Sequence, residues 1–516
     1  MNALFFVPPV ELSPVGLAVD RVYGCNYGYD YKPPIHFLQL ASVAKAWLGW
    51  SVRFVDCPAE GLDLAAFEAL AGSQRWDVAV AHSVYLSAEE DLLAMRLIRR
   101  HNPGLKAVFM GTAPTWKPAE FLDDAASFAL LGEPEITLTE LAAAWRGERT
   151  LESIDGLASL ASGQLRRGAF RQLLDVSKLP MPDRTLLLGK YRANRLDVHP
   201  ITTLVVSRGC GFRCTFCTPN AIDQMIELEF KRLQPTYVDR PPLRKRTVDQ
   251  IVEEFTAIHA LGYRGVEVAD NIFTWGNSRT QEICNRIAPL NLDWLCLARA
   301  NMLHDAKTVR AMADAGCKLV YMGSESFDDG LLDDMAKDLK VKDIIKAVTT
   351  CRENGVHPEV SVLMGASQHE SWKTLINSWR AARGLGTRFV HFSVALPSPS
   401  TELYDIAMRE GWFTDGDFFP VDNQRDAIVN LPHLKAWELR LALKLAYAAQ
   451  YLSPSGMMKQ ARSVSSIEDL RHKARSATRL FGFLGQRPAP RRVPPGRVTS
   501  THLGYPGQAS SEPSQS

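Results

Sequence analysis

The chain has 516 residues, of which 46% are hydrophobic and 22% charged, with a formal net charge of +2. That length exceeds one ordinary core, so two or three domains are expected, and the composition excludes a disordered polymer. No apolar run is long enough to cross a bilayer. Nine cysteines are dispersed behind an N-terminus with no basic region or small-residue cleavage site, which predicts a reduced cytoplasmic protein rather than a disulfide framework.

Residues 1–150 read as a doubly wound α/β domain. Apolar strands at 3–7, 52–55, 78–81, 107–110 and 128–131 alternate with helical stretches around 37–48, 62–71, 89–100 and 118–125. Strand–helix alternation with short loops predicts a parallel sheet, and such sheets bind ligands beyond the carboxyl ends of their strands. The candidate ligand loops are therefore His82, Ser83 and Tyr85, then 111–115 with Gly111 and Thr112, then 132–135 with Gly132 and Glu133.

A connector over 151–199 contains the sequence LPMPDR (179–184), whose prolines force an extended passage. From 200 to 430 six further strands, at 203–206, 265–269, 294–298, 318–322, 359–363 and 389–394, are each followed by a helical segment. That count predicts an open (β/α)6 partial barrel rather than a closed eight-stranded one. Residues 431–485 read as helical, and Pro, Gly, Ser and Arg dominate 486–516, which reads as a disordered basic tail. From Arg471 onward eight Lys or Arg face Glu512 alone, so a +7 end follows a body of −5.

The sequence SRGCGFRCTFCTPN places Cys210, Cys214 and Cys217 directly after the first barrel strand. Thiolates are the soft ligands of iron–sulfur clusters, and three of them on one loop leave a fourth iron open. Gly209 and Gly211 let the backbone wrap a bulky group. The alternatives are zinc and plain structural thiols. Zinc sites normally take four ligands from two knuckles, whereas here there is no second C-x-x-C and the nearest His, His199, precedes a proline. Cys25, Cys57, Cys284, Cys296, Cys317 and Cys351 read as buried small hydrophobes.

The C-x3-C-x2-C spacing, with Phe216 just before the third cysteine, resembles the signature of the radical S-adenosylmethionine (SAM) superfamily. The resemblance implies a [4Fe–4S] cluster on Cys210, Cys214 and Cys217 whose open iron binds SAM. It also implies that an electron from the cluster cleaves the sulfonium to methionine and a 5′-deoxyadenosyl radical. The likeness continues strand by strand. ADNIFT (269–274) carries Asp270, LARANML (297–303) carries Arg299, and AGCKLVYMGSES (315–326) carries Gly323, Glu325 and Ser326. These residues are expected at the mouth that holds SAM and substrate. Arg299 is expected to grip a carboxylate or phosphate in bidentate fashion, and capping or a local salt bridge is the alternative for Asp270 and Glu325. Two departures stand out: Ser400 replaces a glycine in PSPSTELY (397–404), and GASQHES (365–371) replaces the usual Gly-x-Pro-Gly-Glu-Thr.

A doubly wound domain ahead of the barrel resembles the cobalamin-binding domain of class B radical SAM proteins. By that resemblance His82, Ser83, Gly111, Thr112, Gly132 and Glu133 form the cobalamin loops. The Asp-x-His-x-x-Gly motif is absent, so cobalt is expected to lack that histidine ligand; His82 as a hydrogen-bonded strand-end residue is the plainer reading. The family implies methylation or skeletal modification of a hydrophobic small molecule (lipid-, terpenoid- or tetrapyrrole-like) and a reductant such as flavodoxin or ferredoxin. The alternative is modification of RNA or a peptide without cobalamin, the tail serving as a polyanion-binding arm, although no nucleic-acid stacking module is recognisable. Over 470–497, Leu470, Ala474, Ala477, Phe481 and Leu484 form an apolar stripe beside Arg471, Lys473, Arg475 and Arg479. That pattern predicts peripheral contact with the inner membrane surface, against the alternative of a helix packed on the barrel.

Overall fold

A computed structural model describes residues 1–458 apart from 14–15, 25–30, 192–195, 197, 234–239 and 455. Cys25 and the 470–497 stretch therefore lie outside the described residues.

The first five strands are β1 (Asn2–Val7), β2 (Ser51–Asp56), β3 (Val78–His82), β4 (Lys106–Met110) and β5 (Ser127–Leu130). They pair in parallel in the order β2-β1-β3-β4-β5. Both faces are covered, which is why the strands are continuous apolar runs. Phe5 points to the helices Ile35–Leu48 and Pro134–Trp145, with its ring 5.4 Å from Phe37. Its neighbour Phe6 points to the helices Leu64–Gly72 and Ala88–His101, with its ring 5.8 Å from Phe67. Each such phenyl is worth about 1.5–3 kcal/mol of burial.

Two findings depart from expectation here. The stretch 118–125 makes only a short 3-10 turn, Pro118–Phe121, because Asp123 and Asp124 turn out to take Arg99. Within the segment read as a connector, β6 (Leu157–Ala161) and β7 (Gln164–Arg167) extend the same sheet antiparallel to β5. Ser162 and Gly163, both at positive φ, make the two-residue hairpin turn that joins them.

The second sheet is wholly parallel. Its strands are β8 (Ile201–Leu204), then, beyond two short strands described below, β11 (Gly265–Val268), β12 (Asp293–Ala298), β13 (Cys317–Glu325), β14 (His357–Met364) and β15 (Val390–Val394). They lie side by side in chain order, with β8 and β15 at the two edges, which is the open six-stranded barrel the sequence predicts. Outward residues such as Val268, Trp294, Val320 and Val362 pack on the surrounding helices. The Trp294 indole donates to the Ala315 carbonyl at 2.8 Å, satisfying the one polar atom that its burial would strand. After β15 the described helix Ala436–Tyr447 covers one edge.

Elements at the carboxyl ends of the two sheets meet. Ile222 and Met225 of the helix Ala221–Leu233, which follows the cysteine loop, enter the N-terminal core. Tyr85 and Trp116 of the N-terminal sheet's loops pack edge to face with Phe418, with centroids 5.1–5.6 Å apart.

Candidate active site

Beyond β8, the short strand β9 (Ser207–Arg208) pairs antiparallel with β10 (Arg244–Lys245), so the chain is held just before the cysteines begin. Gly209 then turns at φ +87°, and a Cβ there would lie 2.7 Å from the Pro242 carbonyl oxygen. No other residue fits that crossing. The Gly209 amide donates to Asp223 at 2.8 Å, and Asn271 donates to the other oxygen of the same carboxylate at 2.6 Å.

Asp270, expected at the mouth, is fully buried and stitches strand ends together. It accepts from the Val206 amide at 2.6 Å and from the Ser207 hydroxyl. Burial pushes its carboxyl up to about 7, so the fold accepts the neutral acid. The stabilisation is complete below about pH 4, where the unfolded carboxyl is also protonated, and is lost as pH rises to about 7. Asp270→Asn keeps an acceptor and removes the titration. The stability of the native chain relative to this variant should fall by roughly 4 kcal/mol between pH 4 and 7.5 in urea titrations. Parallel pH profiles would refute the assignment.

All three thiols sit on one pinned loop. Arg240 donates to the Phe212 and Cys214 carbonyls at 3.3 and 3.0 Å, the Thr215 amide donates to Met335 at 3.1 Å, and the Thr215 carbonyl accepts from Leu403 at 2.9 Å. Cys214 is buried, and Cys210 and Cys217 are partly so. Burial pushes the Cys210 thiol up to about 11 and the Cys217 thiol up as well, with the neighbouring sulfurs adding to both. Thiolates gathered in such a loop require cationic partners, which is the condition that iron binding meets. Among the described residues, no three His, Cys, Asp or Glu side chains are grouped as the ligands of one metal ion would be. The donor set fits a cluster that spreads its ligands over several irons.

Two buried cations back the loop. The Arg299 guanidinium lies 3.6 Å from the centroid of Phe212 and donates to Cys214 Sγ at 3.6 Å. Its other donors go to the Lys337 carbonyl and, at 2.9 Å, to the Asp338 carbonyl. The expected bidentate grip on a substrate anion is corrected: that fork is spent on backbone carbonyls and a cysteine sulfur.

Lys337, which sequence reasoning missed, stands 5.5 Å from the centroid of Phe216 and donates to Glu325 at 2.9 Å. Glu325 also accepts from Ser361 at 3.0 Å. A Cβ on Gly323 would lie 2.4 Å from the Glu325 carboxylate, so glycine is what lets this carboxylate cross the strand. Glu325, Ala336 and Asp338 are three of the five non-glycine residues at positive φ among the described residues. Strain of this kind gathers at functional sites. Ser326 is not in the mouth; its hydroxyl lies 3.4 Å from Ser378 and accepts from the Asp328 amide at 3.2 Å. Ser400 is accommodated under Gln224, which donates to it at 3.3 Å.

In the N-terminal sheet, the loops after β3 and β4 cross at Gly111, where φ is +126° and a Cβ would lie 2.0 Å from the Ser83 carbonyl oxygen. His82 is buried, and neither ring nitrogen has a hydrogen-bond partner. Burial pushes its pKa down to about 3, so the imidazole is neutral. The hydroxyls of Thr112 and Thr115 are likewise buried without a partner. Orphaned buried polar atoms are uncommon, and these four, at the end of β3 and in the segment after β4, suit a large polar ligand that completes them. Glu133 does not share this rim: its carboxylate accepts from Arg208, Arg244 and the Leu174 amide, while Gly132 packs near Glu229.

Residues 204–400 match the family model of the radical SAM superfamily. An uncharacterised methyltransferase of Pyrococcus horikoshii is 27% identical over 467 residues, which span 89% of this chain and 94% of that protein. Two solved structures are alike in fold. The cobalamin-dependent SAM radical enzyme OxsB, with aqua-cobalamin and SAM bound, has a TM-score of 0.66 at 15% identity over 94% of this chain and 71% of its own. The radical SAM methyltransferase TsrM of Kitasatospora setae, with cobalamin and a [4Fe–4S] cluster bound, has a TM-score of 0.66 at 17% identity over 92% of this chain and all of its own.

Proposed function

We infer that this chain, whose residues 204–400 match the radical SAM family model, is a cobalamin-dependent radical SAM enzyme that methylates an unactivated carbon of a small molecule. The observation that carries the reading is the meeting of two carboxyl ends: a pinned cysteine triplet on one side and a rim of unsatisfied His82, Thr112 and Thr115 atoms on the other. The name of the Pyrococcus relative and the cofactors of the two solved structures support it. When bound, the cluster supplies an electron for sulfonium cleavage and cobalamin a transferable methyl group.

The chain's own part is positional and electrostatic. Cys210, Cys214 and Cys217 hold the cluster, and Arg299 and Lys337 offset the charge of their thiolates. Glu325, oriented by Lys337 and Ser361, offers an acceptor for the cationic amino group of SAM. Asp270 and Asp223 keep the loop from shifting against the barrel. The electron comes from an external reductant of the flavodoxin or ferredoxin kind. Anaerobic reconstitution with iron, sulfide and hydroxocobalamin, followed by turnover with SAM labelled in its methyl group, tests the reading. Retention of both metals with SAM cleavage supports it, and failure to retain cobalt restricts it to radical SAM chemistry alone.

No helix among the described residues is long and apolar enough to cross a membrane. The eight positive charges of 471–497 support a peripheral contact, each worth on the order of 1 kcal/mol near an anionic leaflet, and a substrate drawn from it. The full chain should co-sediment with anionic but not neutral liposomes, and truncation after Asp469 should abolish this. Indifference to anionic liposomes at low salt removes the support for a hydrophobic substrate.

A further inference from the structure

We propose that Arg208 is a positioning residue that couples the ligand rim of the N-terminal sheet to the cysteine loop. It stands two residues before Cys210 and is only 4% exposed. One Nη donates to Glu133 at 2.9 Å and lies 3.3 Å from Glu135; the other donates to Glu135 at 2.5 Å. Arg244, its cross-strand partner, donates one Nη to both oxygens of Glu133, at 2.8 and 2.9 Å. Two guanidinium groups and two carboxylates thus form a charge-neutral buried clamp between the sheets.

The clamp joins places where an occupant and a cluster would be felt. Glu133 and Glu135 begin the helix Pro134–Trp145 directly after Gly132, at the carboxyl end of β5. That loop is a neighbour of the rim loops after β3 and β4, since the three strands are adjacent in the sheet. At the other end, Ser207 is tied to Asp270 and Gly209 to Asp223, so the residues on either side of Arg208 cannot absorb a displacement. Planar forks transmit orientation as well as charge, which a lysine would not do. A shift of the 132–135 loop is therefore felt as load on the anchors that hold the cysteine loop. Coupling between two binding sites is reciprocal, so it can be read from either one.

This inference rests on the cobalamin reading above, and its test separates the two. Equilibrium dialysis measures the affinity of hydroxocobalamin for the cluster-loaded and the iron-free protein. The native chain should bind about fivefold or more tightly when loaded, the lower bound of ordinary coupling. In the variant Arg208→Met/Glu135→Met both charges go together, which leaves no lone buried ion. Its ratio should fall toward one while iron content and circular dichroism stay native. Should that variant fail to load iron, Glu135→Gln, which keeps the shape of the loop, decides by the same ratio. A native ratio of one, or a ratio that either well-folded variant leaves unchanged, overturns the coupling alone. Absence of hydroxocobalamin binding in both forms of the native chain overturns the cobalamin reading and the coupling with it.

Discussion

Replacing Cys210, Cys214 and Cys217 together by alanine should reduce bound iron from about four per chain to background and abolish reductive cleavage of SAM. The loop itself should survive, because its anchors are elsewhere: Gly209 on Asp223, Thr215 on Met335 and Leu403, and the loop carbonyls on Arg240. Three thiols converging on one loop, two of them raised in pKa by burial and by neighbouring sulfurs, are poor candidates for mere packing. Iron and sulfide analysis beside methionine release gives the answer, and full iron loading in the triple variant would refute the assignment.

Gly111→Val should have the second largest effect, on the N-terminal sheet. A β-branched residue at φ +126° is strained in any surroundings, and here its Cβ would meet a backbone carbonyl 2.0 Å away. Neither backbone segment can yield cheaply: the Ser83 amide donates to Met110 at 2.7 Å, and the Ser83 carbonyl accepts from Ala113 at 3.2 Å. The loops must part, at a cost of about 3 kcal/mol or more. Hydroxocobalamin retention should be lost, while the cysteine loop, whose ligands come from another sheet, should still load iron. A urea titration and metal analysis of one preparation check both halves. Native cobalt retention would show that the rim lies elsewhere.

The parallel strands of the N-terminal sheet were legible because they are apolar on both faces, as Phe5 and Phe6 illustrate, those of the barrel because each presents an apolar outward face, and the cysteine triplet because its spacing is local. The hairpin of β6 and β7 was not. Leu165 is 46% exposed and Arg166 and Arg167 follow it, so this edge lacks the apolar run that marks a buried strand; only Ser162-Gly163 signals it. Lys337 was illegible for a different reason. Its place under the cysteines depends on positive φ at Ala336 and Asp338, which no residue type announces. Arg299 was picked out as a mouth residue but assigned the wrong partner, since carbonyls contributed by a turn thirty-eight residues on fill its fork. Glu133 failed likewise: a loop position read from one domain was claimed by arginines of the other. Side chains that satisfy distant backbone or cross between domains leave only their charge in the sequence.

The central claim, that three cysteines leave one iron open for SAM, is tested most directly by Mössbauer spectroscopy of protein reconstituted with iron-57, before and after SAM is added. One iron in four should change its spectrum on SAM addition while the other three stay unchanged. Four irons that remain equivalent and indifferent to SAM would contradict it.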